Sequence, residues 1–399
     1  MNKLDELIAE LCPGGVEFYK LSEVVKIYDG THQTPDYKES GVPFISVENI
    51  DNIYDSSKFI SEDDYQKYKV KPQYGDVFMT RIGSIGKCAV FEKEMDLAYY
   101  VSLALIRPNP DKVRSRYLKH VIEGTIGTKE LRKRTLVNAV PIKINKDDIG
   151  KISIPIPPLP VQREIVRILD NFTELTAELT AELTARKKQY IYYSKQLLSF
   201  PDAPYMALED ICDIVDYRGK TPKKVDKGVF LVTAKNIRFG YIDYEKSQEY
   251  IAESDYEDVM RRGKPHLGDV LITTEAPCGN VALVDREDIA LAQRVIKYSP
   301  KDNRINSTFL KFILLGEEFQ NKLNSSATGG TVKGIKGSKL HKLTVPVPSL
   351  DVQLKIVDIL NRFDTLCNDI TNGLPAEIKA RQKQYEYYRD RLLTFKEAI

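Results

Sequence analysis

The residues most capable of chemistry in the first half of the chain are Gly83-Ser84-Ile85-Gly86-Lys87, a glycine-rich turn closing on a lysine, as a phosphate-cradling loop does. The spacing fails that test, because Arg81 stands where a nucleotide loop needs glycine and Cys88 where it needs Ser or Thr. Pro35-Asp36-Tyr37-Lys38 places an acid and a lysine in one turn, too close together for a metal site shared with a separate strand, and reads as a solvated loop. Cysteines at 12, 88, 212, 278 and 367 form no C-x-x-C pair, and histidines at 32, 120, 266 and 341 stand apart from them. Zinc and disulfide frameworks are therefore not expected, and a reducing compartment fits.

Cations are better organised. Lys112, Arg114, Arg116 and Lys119 are followed by Lys129, Arg132, Lys133 and Arg134, with only Glu123 and Glu130 between them. Charge at that density can neutralise phosphates and release counterions, although a solvated helix face has the same composition. The second half carries Arg218, Lys220, Lys223 and Lys224, then Lys333, Lys336, Lys339 and Lys342. The later group lies in ATGGTVKGIKGSKL, where Gly329, Gly330, Gly334 and Gly337 let backbone approach a ligand closely; a flexible hairpin without a ligand is the plain alternative.

These clusters are positioned by a duplicated frame. LSEVVKIYDGTHQTP from Leu21 aligns with LEDICDIVDYRGKTP from Leu208, VPFISVENI from Val42 with VFLVTAKNI from Val229, YGDVFMT from Tyr74 with LGDVLIT from Leu267, and RYLKHVI from Arg116 with TFLKFIL from Thr308. Each copy predicts short strands separated by Gly/Pro turns, with a helical piece near Arg116–Ile122 in the first. A long amphipathic segment follows each copy. In Val161–Phe200 the stripe runs through Leu175, Leu179, Leu183 and Tyr190, with prolines at both ends. In the second copy it runs through Leu366, Ile370 and Tyr385, interrupted by Gly373 and Pro375. A helix of the first length would reach roughly 60 Å, so it predicts a spacer, and the matching stripes predict an antiparallel coiled pair. The matching junctions LLSF and LLTF predict approximate twofold symmetry, with the chain ends close in space.

The expected fold class is α+β: two pseudo-twofold-related globular domains of twisted, mostly antiparallel sheet plus helices, separated by two long antiparallel helices. The expected boundaries are 1–155, including an N-terminal helix over 3–11, then 156–200, 201–345 and 346–399. With 59 basic and 57 acidic side chains the net charge is only +2, which excludes a global basic field and makes any nucleic-acid surface local. The acidic, amphipathic MNKLDELIAEL and the absence of an 18-residue apolar run predict a cytoplasmic protein with no membrane partner.

The segments beginning P-x-P-x-L-x-x-Q and ending R-x-K-Q-Y-x-Y-Y, the T-A-E-L tetrads, and the two divergent globular domains together resemble the specificity subunit of type I restriction-modification enzymes, in its T-A-E-L spacer subgroup. The resemblance covers essentially the whole chain. It implies two target recognition domains, each reading half of a split site in double-stranded DNA. It also implies two methyltransferase subunits docked on the helices and restriction subunits joining the assembly. S-adenosylmethionine would then belong to the methyltransferase, and ATP and Mg to the restriction subunit, with no cofactor in this chain. No N-P-P motif occurs, and Pro108-Asn109-Pro110 reads as a turn, so the chain is expected to be non-catalytic. A fused modification or nuclease enzyme and a coiled-coil interaction protein are the competing readings.

Base reading requires paired donors and acceptors on loops that enter the major groove. Equivalent loops nominate Thr31, His32 and Gln33 against Arg218 and Lys220, and Arg81 and Ser84 against Thr274 and Glu275. Lys87 stands against Asn280, and Tyr100 and Ser102 against Gln293 and Arg294. Lys129, Arg132 and Arg134 in the first half, and Thr331, Lys333 and Lys336 in the second, are the expected DNA-backbone contacts. Leu175, Leu179, Leu183, Tyr190, Leu366, Ile370 and Tyr385 are the expected spacer and partner-docking positions.

Overall fold

The computed structural model describes residues 2–217, 222–329, 333–368 and 372–398. Arg218, Lys220, Thr331 and Ile370 lie outside them. Two compact units emerge, Met1–Thr180 with Glu377–Ile399, and Ala181–Ala376.

In the first unit Val25–Asp29, Leu103–Pro108, Val77–Thr80 and Cys88–Val90 form an antiparallel sheet in that order. A second, three-stranded sheet pairs Val42–Ile45 antiparallel with Phe59–Ile60 and parallel with Ala98–Tyr99. The second unit repeats this with Cys212–Asp216, Val295–Pro300, Val270–Thr274 and Cys278–Leu283, and again one parallel pair, Val229–Val232 with Ile289–Leu291. Helix Ser115–Glu123 lies where the heptapeptide match places it, and its counterpart is Ser307–Leu315. Each is followed at once by a ten-residue helix, Thr125–Arg134 or Glu317–Ser326. The basic run of the first half, from Arg116 onward, thus sits on helices, one face of which is core: Tyr117, Leu118, Val121 and Leu131 are buried.

The first spacer is one helix, Leu159–Leu197. The second is two, Leu350–Asn368 and Leu374–Leu393; Pro375 stands in the first turn of the latter, where its missing N–H is harmless, and cannot extend the former. Within the first unit Phe172 stacks on Tyr388 at 5.3 Å. Within the second, Tyr193 stacks on Phe363 at 6.1 Å, while Cys367, farther along its helix, lies in the field of the earlier residues Lys187 and Arg186, so these helices run antiparallel. The chain ends meet inside the first unit, where Val16 N–H donates to Lys396 at 2.8 Å and Ala398 N–H donates to Val16 at 3.0 Å.

The glutamine of P-x-P-x-L-x-x-Q joins each helix to its domain. Gln162 is fully buried; its Oε1 accepts from Arg114 N–H at 2.9 Å, and its Nε2 donates to the Lys112 and Pro157 carbonyls at 2.8 Å. Gln353 makes the same three bonds to Asn306, Arg304 and Pro348. A buried amide with every partner supplied is stable only as a set, since removing it orphans three backbone groups. Gln162→Leu is expected to lower unfolding free energy by about 3 kcal/mol in urea denaturation of the full chain; a loss below about 1 kcal/mol would show the clamp to be dispensable.

Lower on the same helix, Asp170 takes hydrogen bonds from Arg116 at 2.7 Å and from buried His120 at 3.0 Å, while the other ring nitrogen of His120 meets Tyr385 Oη at 3.0 Å. Burial pushes the Asp170 carboxyl up, but His120 and Arg116 outweigh it and leave the group below its ordinary range. A carboxylate depressed in the folded state stabilises above its unfolded pKa and loses that contribution as pH falls through the folded value. The urea midpoint should therefore drop on acidification below about pH 4, less steeply in Asp170→Asn. Identical pH profiles for the two proteins would remove Asp170 from the account.

Candidate nucleic-acid interface

Antiparallel pairing puts four strand ends at one end of each large sheet. In the first unit Asp29 lies opposite Ala104, Thr80 opposite Leu103, and Met79 opposite Cys88. The loops after Asp29, between Thr80 and Cys88, and before Leu103 therefore emerge side by side. Thr31 pairs with Tyr100 in parallel, and Val101 N–H donates to the Thr31 carbonyl at 2.9 Å. Gly30 is required there, because a Cβ would lie 2.5 Å from the Tyr100 backbone. Gly86, at φ 92°, seats its loop on helix Thr125–Arg134, with Leu131 2.6 Å from where a Cβ would be. Gly279 does likewise beside Gln320 and Leu323.

Arg81 ties these loops from below. It is 8% exposed, and its guanidinium forms an ion pair with Asp29 and donates through Nε to the Ile144 carbonyl at 3.2 Å. Its N–H donates to the Ser102 carbonyl at 3.0 Å, and its carbonyl accepts from Ile144 N–H at 3.0 Å. One residue, its guanidinium reaching 29 and 144 and its backbone 102 and 144, thus holds these loop bases together, a positioning role that spacing alone did not reveal. Ser102 is also buried, with Oγ accepting from Val47 N–H at 3.1 Å. Thr274, the Arg81 counterpart, is buried and donates from both N–H and Oγ1 to the Arg294 carbonyl, at 2.9 and 3.2 Å.

Other nominated side chains face outward. His32, Gln33, Ser84, Lys129, Arg132, Lys333 and Lys336 are exposed, while Thr31, Tyr100, Arg134 and Asn280 are half-buried. Arg134 is held by Glu130 at 2.7 Å, and Asn280 donates to the Ile237 carbonyl at 2.8 Å. Lys87 turns to Asp51 at 3.1 Å, an exposed pair of small energetic weight. Arg294 is exposed in the left-handed region at φ 72° and reaches Glu275 at 3.3 Å, a strained backbone at the rim of the loop cluster. Along the spacers Tyr190 and Tyr385 are half-buried, Leu179 and Leu183 likewise, and Leu175 and Leu366 are 44% and 36% exposed. Among the described residues no group of three or more His, Cys, Asp or Glu is placed to hold a metal, and no helix is long and apolar enough to cross a membrane.

The type I restriction modification DNA specificity domain matches this chain twice, over residues 13–186 and 202–380. The chain belongs to that family. It is 40% identical over 271 residues to the EcoR124I/EcoR124II type I restriction enzyme specificity subunit of Escherichia coli, covering 61% of this chain and 63% of that one. It is 30% identical over 308 residues to a putative type I restriction enzyme specificity subunit of Haemophilus influenzae, covering 71% and 73% respectively. Its fold matches the type I restriction-modification S subunit of M. genitalium at TM-score 0.57 and 13% identity, covering 95% and 96%. A chain from a structure of type I restriction-modification complex assembly matches at TM-score 0.62 and 17% identity, covering 96% and 98%. In family terms, the two matched domains each present one loop cluster.

Arg81→Met should leave Asp29 unpaired and free the loop bases while sparing the sheet. Amide hydrogen exchange is expected to speed up at 82–86 and 137–144 by tenfold or more, with 103–108 unchanged. Uniform acceleration would mean Arg81 supports the whole domain, and no change would mean the loops hold without it.

Proposed function

We propose that this chain is the DNA-sequence-specificity subunit of a type I restriction-modification complex. The observation that carries the reading is the same loop cluster built twice at the ends of duplicated sheets, with framework residues shared and rim residues different. Thr80 and Thr273 each accept the N–H of the residue seven positions on, Lys87 at 3.0 Å and Asn280 at 2.9 Å, whereas those two side chains differ. Two readers on one scaffold suit a split site in which each half is read by one domain. Exposed Lys129, Arg132, Lys333 and Lys336 supply phosphate contacts near each reader, and His32, Gln33, Ser84 and Arg294 are the base-reading candidates.

The chain itself is non-catalytic in this reading. It holds DNA so that a methyltransferase subunit can flip an adenine into its own pocket and methylate it from S-adenosylmethionine. Two such subunits dock along the helical segments, and restriction subunits carrying ATP and Mg join them. Thr176 and Thr180 bond back to the carbonyls of Phe172 and Thr176, at 2.8 and 2.7 Å, so the T-A-E-L tetrads are continuous helix. One tetrad is about 6 Å of helix, against roughly 3.4 Å per base-pair step.

The chain co-expressed with its methyltransferase subunit should methylate adenines in a motif of two short halves flanking a fixed unread gap, mapped by single-molecule sequencing. Deleting Thr180–Leu183 should keep both halves and shorten the gap by about one or two base pairs. A single undivided motif, or an unchanged gap after the deletion, would refute the reading. A stable complex that binds no DNA would leave an interaction stalk in its place.

A further inference from the structure

Between the basic helix Thr125–Arg134 and buried Ile144 the chain makes a narrow ribbon that none of the nominated positions includes. Leu136 pairs antiparallel with Lys143, which also pairs with Ile82, and Gly83 N–H donates to the Ile142 carbonyl at 2.8 Å. The ribbon is therefore fastened along the loop that carries Ser84, inside the cluster tied by Arg81. Its tip is aliphatic and open: Val137 is 65% exposed, Val140 100% and Ile142 43%. A single exposed valine needs no explanation, but Val137, Val140 and Ile142, with Leu136 at 42% exposure, put four exposed aliphatic side chains on residues 136–142 that contribute nothing to the core. The helix before the ribbon carries exposed Lys129 and Arg132, and the return strand and the residues after it carry exposed Lys143 and Lys146.

The second unit fastens the base of the corresponding segment in the same way, with different residue chemistry between. Thr328 and Gly334 exchange both backbone hydrogen bonds, at 2.8 and 2.9 Å, and Gly334 pairs with Glu275 as Lys143 pairs with Ile82. That segment reads T-G-G-T-V-K-G, polar and glycine-rich where the first reads L-V-N-A-V-P-I-K. Equal scaffold position and unequal side chains are what two readers of different half-sites need.

We infer that the tip residues Val137, Val140 and Ile142 read thymine 5-methyl groups in the half-site of the first unit. A two-stranded ribbon fits the major groove, and the thymine methyl is the only apolar group that base edges present there. The flanking cations match the phosphates on either side of that groove. The inference rests on the DNA-reading function proposed above and names part of its specificity.

The test uses the full complex with its methyltransferase subunit and DNA carrying its mapped site, in which each thymine is replaced in turn by deoxyuridine, which lacks only the methyl. Binding by the native complex should weaken about fourfold at one or more thymines of one half-site. The variant Val137→Ser/Val140→Ser should bind thymine DNA correspondingly less well and no longer distinguish deoxyuridine at those positions. Both residues are exposed, so folding is not at issue. Equal deoxyuridine sensitivity in native and variant complexes, or a half-site without A·T pairs, overturns the inference. So does a variant that fails to assemble with the methyltransferase subunit, which would assign the patch to protein. A native complex that binds no DNA at all fails the underlying function instead, and the inference falls with it.

Discussion

Each domain is tied to the helix that follows it by a glutamine amide that has no access to water. Gln162 and Gln353 are both fully buried, and each bridges the start of a domain helix, the proline-rich approach and its own helix. A buried amide tolerates no slack, because each lost partner leaves a desolvated polar group. That constraint makes the junction between each domain and its helix definite.

The same economy recurs inside the domains. Asp76 is buried in the G-D-V turn and held by Arg107 at 2.7 Å; Asp269, in the same turn of the second unit, is held by Lys297 at 2.8 Å. The cation comes from a different register position in each copy, so what persists is the requirement that the buried carboxylate be paired rather than a particular partner. At the loop clusters the opposite holds. Backbone bonds are kept from one unit to the other while side chains change: Arg81 organises its loops through a guanidinium, and Thr274 makes its bonds to the Arg294 carbonyl. Shared backbone geometry with divergent side chains lets one fold present two surfaces without redesigning its core.

Much of this was legible in the chain. The offsets between the two copies located the strands to within a few residues, because strand alternation and Gly/Pro turns are local signals. The break at Gly373 and Pro375 was equally local. Helix Thr125–Arg134 reads in the sequence as a run of charge, since its buried residues are only Gly127 and Leu131. The parallel pairs in the smaller sheets were not visible either, as parallel neighbours are far apart in sequence.

The sequence by itself determined the duplication, the alternation of α+β domains with amphipathic helices, and the family, because these reside in periodicity and in motifs read along one dimension. Tertiary structure alone decided which polar side chains face water. Arg81, Ser102 and Thr274 have the composition of readers but are buried, whereas Val137 and Val140 have the composition of core but are exposed. Hydrophobic character and hydrogen-bonding capacity are properties of a residue; burial is a property of what folds over it, and that is set by contacts tens of residues away.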